Sequence, residues 1–209
     1  MVRRTKEDAL ATRQSLLDAA ELLFQAQGVS RTSLNDIARR AGTTRGAIYW
    51  HFKDKADLFN AMMARVTLPL EQAFQDLSKD LPDDPLDRIR LVMRQALHQI
   101  ANDARTRRVF EVCTQKVEYV DELQAVRVRH LTVRNEFLMQ VELGLKLAAA
   151  RRKLTLPISF SNAAQGLHAM VDGLIQNWLL DAEAFDLPGT SEQVIDIYLT
   201  GLGFSIGRQ

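Results

Sequence analysis

Apolar residues recur at helical spacing along almost the whole chain. Between residues 9 and 27, Leu16, Ala20, Leu23 and Phe24 share one stripe, Arg13, Gln14, Asp18 and Glu21 lie off it, and Gly28 supplies a stop. A short helix follows in SLNDIARRA, with Ser33 as N-cap and Asp36 three residues on as its reciprocal acceptor. Gly42 ends it, because a residue that tolerates positive φ lets the chain leave a helix abruptly. Thr44 then caps a third helix, RGAIYWHF, buried through Ile48 and Phe52. Asp54 opens a fourth that runs to about Leu77, with a local irregularity expected near Pro69.

The break SKDLPDDP leads into Asp84-Pro85, a cap with proline at the first helical position. From there the pattern predicts helices over about 85–101, 104–115, 121–151, 160–180 and 191–204. No strand is required, and the expectation is an all-α chain of nine helices.

One segment stands out from this regularity. A glycine turn followed by TTRGAIYWHFKDK, residues 43–55, places Arg45, Tyr49, Trp50 and His51 on a helix whose buried face is already assigned to Ile48 and Phe52. Helix, glycine turn and short second helix form a helix-turn-helix, in which the second helix enters the DNA major groove. Arg45 carries the donor fork that matches guanine O6 and N7 or clamps a phosphate. Ser33, Thr43 and Thr44 are short hydroxyl donors suited to phosphate oxygens, beside the free amides of helix starts. Tyr49 has a ring for a sugar or a thymine methyl, while His51 and Lys55 stand where a backbone contact would fix the helix angle. The alternative for Tyr49 or Trp50 is a partly buried core position, and for Lys53 and Lys55 a solvated face.

Charge agrees with a DNA-facing head. The chain carries a net +1, but residues 1–58 hold ten Lys or Arg against seven Asp or Glu, leaving 17 against 19 for the rest, and Arg3, Arg4 and Lys6 lie at the front. The lone cysteine, Cys113, excludes an intramolecular disulfide and a cysteine-rich metal site, as expected in a reducing compartment. With no apolar run of about 20 residues, the expectation is a cytoplasmic protein without a membrane span. The four histidines are scattered at 51, 98, 130 and 168, and HExxH, GxGxxG and GxSxG are all missing, so a small helical enzyme is the weakest reading and neither metal nor cofactor is expected.

The segment TSLNDIARRAGTTRGAIYWHFKDKADLF resembles the N-terminal signature of the TetR family of bacterial transcriptional regulators. VRRTKEDAL, DARTRR with Glu111, Lys116 with Glu118, and MVDGLIQNWLL extend the resemblance to the AcrR- and TtgR-like branch, repressors of multidrug efflux pumps. The resemblance implies a helix-turn-helix domain over 1–55 and a ligand-binding and dimerisation domain over 56–209. It implies a homodimer on a palindromic operator, released by a hydrophobic or aromatic effector. It also implies that Val66, Thr67, Val92, Ala96, Phe110, Thr114, Phe137, Val141, Val171, Asp172 and Gln176 line or border the effector pocket. Phe110 and Phe137 depart from a close relative's smaller side chains, and Thr43 replaces a common valine. A regulator of metabolic, fatty-acyl or quorum-signal genes is the alternative within the family.

From the residues alone, Asp172 in the apolar stretch HAMVDGLI needs a donor, either within the protein or on a ligand. The last two helices carry apolar residues on more than one face: Leu167, Met170, Leu174 and Trp178, then Val194, Ile197, Tyr198 and Leu202. Pairing with their symmetry mates makes a four-helix interface about a two-fold axis. Gly166 and Gly173 would allow close approach there.

Overall fold

The computed structural model describes residues 6–75, 84–118 and 120–206. Arg3 and Arg4, the expected end of the fourth helix at Leu77 and the break before Asp84 lie outside the described residues. Among those described, regular structure is helical: α1 (Lys6–Gln27), α2 (Leu34–Arg40), α3 (Arg45–His51), α4 (Lys55–Gln75), α5 (Pro85–Asn102), α6 (Ala104–Gln115), α7 (Gln124–Arg152, preceded by a 3-10 turn at Asp121–Leu123), α8 (Phe160–Leu180) and α9 (Leu187–Gly201). None is long and apolar enough to cross a membrane. The helix expected near 191 begins at Leu187, because Asp186 accepts from the Gly189 amide at 3.2 Å and Pro188 occupies the first turn. α4 runs through Pro69 unbroken.

Two compact units are formed: Met1–Thr67 with Arg108–Leu131, and Leu68–Arg107 with Thr132–Gln209. The single cut after residue 55 expected from the sequence therefore does not coincide with them, since part of α6 and the start of α7 return to the first unit. The core of the first unit joins Leu17, Phe24, Ile37, Ile48, Phe52, Phe59 and Val112, with the Phe24 and Phe59 rings 5.9 Å apart.

A polar network crosses this unit where the apolar pattern pointed to solvent. Glu21 is only 1% exposed, a correction to its assignment off the buried stripe. Arg65 neutralises it and also binds Asp18 at 2.8 Å and Gln14 at 2.9 Å, while Arg108 approaches it at 3.4 Å. A buried carboxylate without such partners would be strongly unfavourable. Arg108 and Glu111 both bond to Gln25, so the DARTRR segment and its following glutamate act in packing α1 against α6. Asp103 starts α6 by accepting from the Thr106 hydroxyl and amide, which together hold its carboxyl below the usual range. Cys113 packs against the same core, and burial pushes its thiol up to about 12.

In the second unit, Arg90 on α5 forks onto both oxygens of Asp196 on α9 at 2.7 Å. Tyr198 on α9 donates to the Ala163 carbonyl of α8 at 2.9 Å, and Gly166 leaves room for that hydroxyl, since a methyl there would collide with it. Gly166 thus permits close approach inside the protomer, whereas Gly173 faces open space.

Candidate nucleic-acid interface

Local chemistry sets the two short helices and the turn between them. At the start of α2 the Ser33 hydroxyl accepts from the Asp36 amide at 3.1 Å, and Asp36 accepts from the Ser33 amide at 3.2 Å. The side-chain hydrogen bond from the Ser33 hydroxyl lowers the Asp36 carboxyl below its ordinary range, and the bond from the Ser33 amide adds to this. At the far end Gly42 has φ of +66°; its amide donates to the Arg39 carbonyl and the Thr43 amide to the Ala38 carbonyl. That pair of bonds is the Schellman motif, and it turns the chain sharply into α3. Thr44 accepts from the Ala47 amide at 3.2 Å and fixes the start of α3.

With Ile48 buried and Phe52 packed beneath the Arg13 guanidinium at 5.1 Å, the remaining faces of α3 turn outward. Arg45 is exposed, Tyr49 is 50% exposed and Trp50 is 89% exposed. The core alternative is therefore excluded for Trp50. Ser33 and Thr44 are exposed but already engaged as caps, Thr43 is half-buried, and His51 is half-buried with its ring 6.3 Å from that of Phe52. A flat aromatic, a phenol and a guanidinium on one seven-residue helix suit stacking, hydrogen bonding and charge pairing with a nucleic acid groove.

Lys55 does not join them. It is 7% exposed and points inward to the carbonyls of Ser30 and Thr32, with Glu122 at 3.3 Å. Nothing in the local spacing signals this, because Glu122 is remote in sequence.

The residues expected to line an effector pocket divide between the units: Val66, Thr67, Phe110 and Thr114 in the first, Val92, Ala96, Phe137, Val141, Val171, Asp172 and Gln176 in the second. Val66, Val92 and Val141 are buried. The Thr114 hydroxyl donates to the Phe110 carbonyl at 2.9 Å, and Phe137 meets His168 edge-on at 5.4 Å. Asp172 is half-buried rather than buried, and Gln176, one turn along α8, donates to it at 2.5 Å, so its donor is internal. An open groove of about 500 Å³ along α5 is lined by Arg94, Gln95, His98, Gln99, Asn102 and Asp103, none of them in the expected set.

The apolar residues assigned to a partner also divide. Leu167, Trp178 and Leu202 are 0%, 4% and 5% exposed, so they are packed inside the protomer. Trp178 lies under the Arg107 guanidinium, 4.6 Å from its ring centre. Met170, Leu174, Val194 and Tyr198 are half-buried, while Ile197 at 72% and Leu180 at 74%, the latter not assigned by the apolar pattern, stand outside.

A family model described as "Bacterial regulatory proteins, tetR family" matches residues 16–62, and one described as "MAATS-type transcriptional repressor, C-terminal region" matches residues 84–204. The chain is 38% identical over 205 residues to the HTH-type transcriptional regulator TtgR of Pseudomonas putida, covering 98% of each. NalD, the secondary repressor of the MexAB-OprM multidrug efflux pump in Pseudomonas aeruginosa, superposes with a TM-score of 0.85 at 36% identity, over 93% of this chain and 98% of that chain. SmeT, the repressor of the Stenotrophomonas maltophilia multidrug efflux pump SmeDEF, gives 0.76 at 34% identity over 92% and 91% of the two chains. A complex of SmeT with triclosan gives 0.80 at 32%, over 91% and 90%.

Proposed function

We propose, for a chain that belongs to the TetR family of bacterial regulatory proteins, that it represses a multidrug efflux operon and leaves its operator when a hydrophobic or aromatic effector binds. The observation that carries this reading is α3 itself: capped by Thr44, anchored by Ile48, and presenting Arg45, Tyr49 and Trp50 to solvent. The efflux operon as target rests on NalD and SmeT, whose descriptions name them as repressors of multidrug efflux pumps.

Residues 1–55 supply the DNA-binding function and 56–209 the effector and dimer functions. One short helix reads few bases. Two copies related by a two-fold, with recognition helices about 34–36 Å apart, read a palindrome in successive major grooves. Ile197 and Leu180, with the half-buried Met170, Leu174, Val194 and Tyr198, form the dimer face. An effector releases DNA to the extent that it binds the conformation with unsuitable head spacing more tightly. Phe137 supplies an aromatic wall for it, and Asp172 and Gln176 a polar edge. Operator binding makes the protein a cytoplasmic one.

Fluorescence anisotropy against the duplex upstream of its own gene, with a scrambled duplex beside it, tests the reading; triclosan, antibiotics and plant phenolics serve as effectors. Arg45→Ala is expected to cost about 1–3 kcal/mol on the operator and less on scrambled DNA, as for a guanine contact. Equal losses on both would make Arg45 a phosphate ligand, and no preference in the wild type would reject the reading. Asp172→Ala is expected to leave operator binding intact and weaken release by polar phenolics; an unchanged response would remove Asp172 from the effector site.

A further inference from the structure

Three arginines of the first unit are matched to carboxylates. Arg39 meets Asp36 at 2.7 Å, Arg65 meets Asp18 at 2.8 Å, and Arg108 approaches Glu21 at 3.4 Å. Arg13 on α1 is not matched. Its neighbours one helical turn away are Ala9, Leu10, Leu16 and Leu17, so α1 offers it no acidic side chain within reach. Among the described residues no carboxylate or carbonyl takes a hydrogen bond from its guanidinium, and none of its nitrogens is closed off from solvent.

The side chain is nevertheless half-buried and held in place. Its guanidinium lies over the Phe52 ring, 5.1 Å from the centre, and covers a residue that is 2% exposed. Stacking uses the flat face of a guanidinium and leaves the donors at its edge free. Phe52 is the C-cap of α3, its amide donating to the Ile48 carbonyl at 2.9 Å. The carboxylates that follow it are taken up at the start of α4, where Asp54 accepts from the Asp57 amide at 2.8 Å and Asp57 from the Lys53 amide at 2.9 Å. A fixed positive charge with unused donors therefore stands at the end of the helix that presents Arg45, Tyr49 and Trp50.

We propose that Arg13 binds a backbone phosphate of DNA beside the groove that α3 enters. Stacking on Phe52 fixes the guanidinium before DNA arrives, so little side-chain freedom is lost on binding. The contact positions α3 without reading sequence. This rests on the DNA-binding reading above and adds to it a ligand on α1, outside the two short helices.

Arg13→Met removes the charge while an unbranched apolar side chain still covers Phe52, and Arg13→Lys keeps the charge. Each full-length variant is titrated with the upstream and scrambled duplexes over a range of salt. Arg13→Met is expected to bind both duplexes about tenfold more weakly at low salt, on the scale of a lost hydrogen bond to a charged group. With one phosphate per protomer and two protomers on the duplex, the dependence of its log affinity on log salt should flatten by about 1.8. Arg13→Lys should keep the wild-type slope.

An unchanged slope in Arg13→Met would make Arg13 only a cover for Phe52 and overturns the proposal. Equal flattening in Arg13→Lys would trace the change to altered structure rather than lost charge, and overturns it as well. Arg13→Gln, neutral and a good helix former, carries the same measurement if Arg13→Met does not fold. A wild type that binds the upstream duplex no better than the scrambled one would fail the repressor reading, while the slope on the scrambled duplex would still decide Arg13.

Discussion

The two tryptophans of the chain, Trp50 and Trp178, occupy opposite environments. Trp50 on α3 and Trp178 on α8 both belong to aromatic or apolar surplus, and the pattern assigned both to a partner's surface. Trp50 is 89% exposed, whereas Trp178 is 4% exposed and covered by Arg107. The difference follows from what surrounds each helix. A seven-residue helix anchored by Ile48 has few positions to bury, and neighbouring aromatics turn outward. A 21-residue helix packed beside α9 spends several apolar residues within its own protomer before any remain for a partner. Surplus apolar character therefore marks a partner surface only in the part that the helix's own neighbours leave uncovered.

Removing Trp178 breaks the comparison most strongly. Trp178→Ala leaves a cavity and an uncovered guanidinium, and should lower stability by about 3–5 kcal/mol in urea denaturation at fixed protein concentration. A loss below about 1 kcal/mol would mean that Trp178 is not part of the protomer core.

A smaller effect sharpens the same point on the α8–α9 contact. Gly166→Ala gains helix propensity of about 1 kcal/mol but pushes on the Tyr198 hydroxyl and its bond to Ala163, so the net change should be a destabilisation of about 1–2 kcal/mol. In a Tyr198→Phe background the hydroxyl is gone but the ring carbon that carried it still lies 3.2 Å from the added methyl, so the same substitution should cost less without becoming free. A double-mutant cycle by thermal denaturation checks the reduction.

These cases show which parts of the protein could be read from its chain. The α2–α3 turn was legible because its determinants are local: Ser33 with Asp36, Gly42, and Thr44 all act within four residues. The early start of α9 was equally local in Asp186 and Pro188, but the apolar run VIDIYL drew attention past it. The burial of Glu21 and of Lys55 was not legible for another reason. Their partners Arg65, Arg108 and Glu122 are tens of residues away, and periodicity reports a face without saying what packs on it. The expected effector residues came from family resemblance rather than from pattern. The donor to Asp172, one turn away at Gln176, was within reach of a spacing argument.

Charge gives a smaller effect that depends on pH. Burial opposes ionisation of Asp84, but the hydrogen bond from Arg152 and that from the Leu86 amide overcome it and hold the carboxyl below its usual range. Because the folded value lies below the unfolded 3.8, the contribution is complete above about pH 5 and is lost as pH falls through 3.8 toward the folded value. Asp84→Asn keeps a capping acceptor while removing the charge. It should cost about 1 kcal/mol at pH 7 in urea denaturation, and the gap from wild type should close as the solution is acidified below pH 4. A gap independent of pH would make packing, not the ion pair, its source.

Trp50 should affect stability least. A side chain this exposed has few intramolecular contacts to lose, so Trp50→Ala should change stability by no more than about 0.5 kcal/mol. Its environment can be read directly in a Trp178→Phe background, where Trp50 is the remaining tryptophan. In the free protein it should emit like solvent-exposed indole and be readily quenched by acrylamide, a neutral quencher that leaves ionic strength unchanged. Saturation with the upstream duplex should shield it, while a scrambled duplex at the same concentration should shield it less. Quenching that ignores the operator would place Trp50 outside the interface and leave Arg45 and Tyr49 to read the DNA. Shielding that tracks anisotropy through an effector titration would tie the exposed tryptophan to operator release.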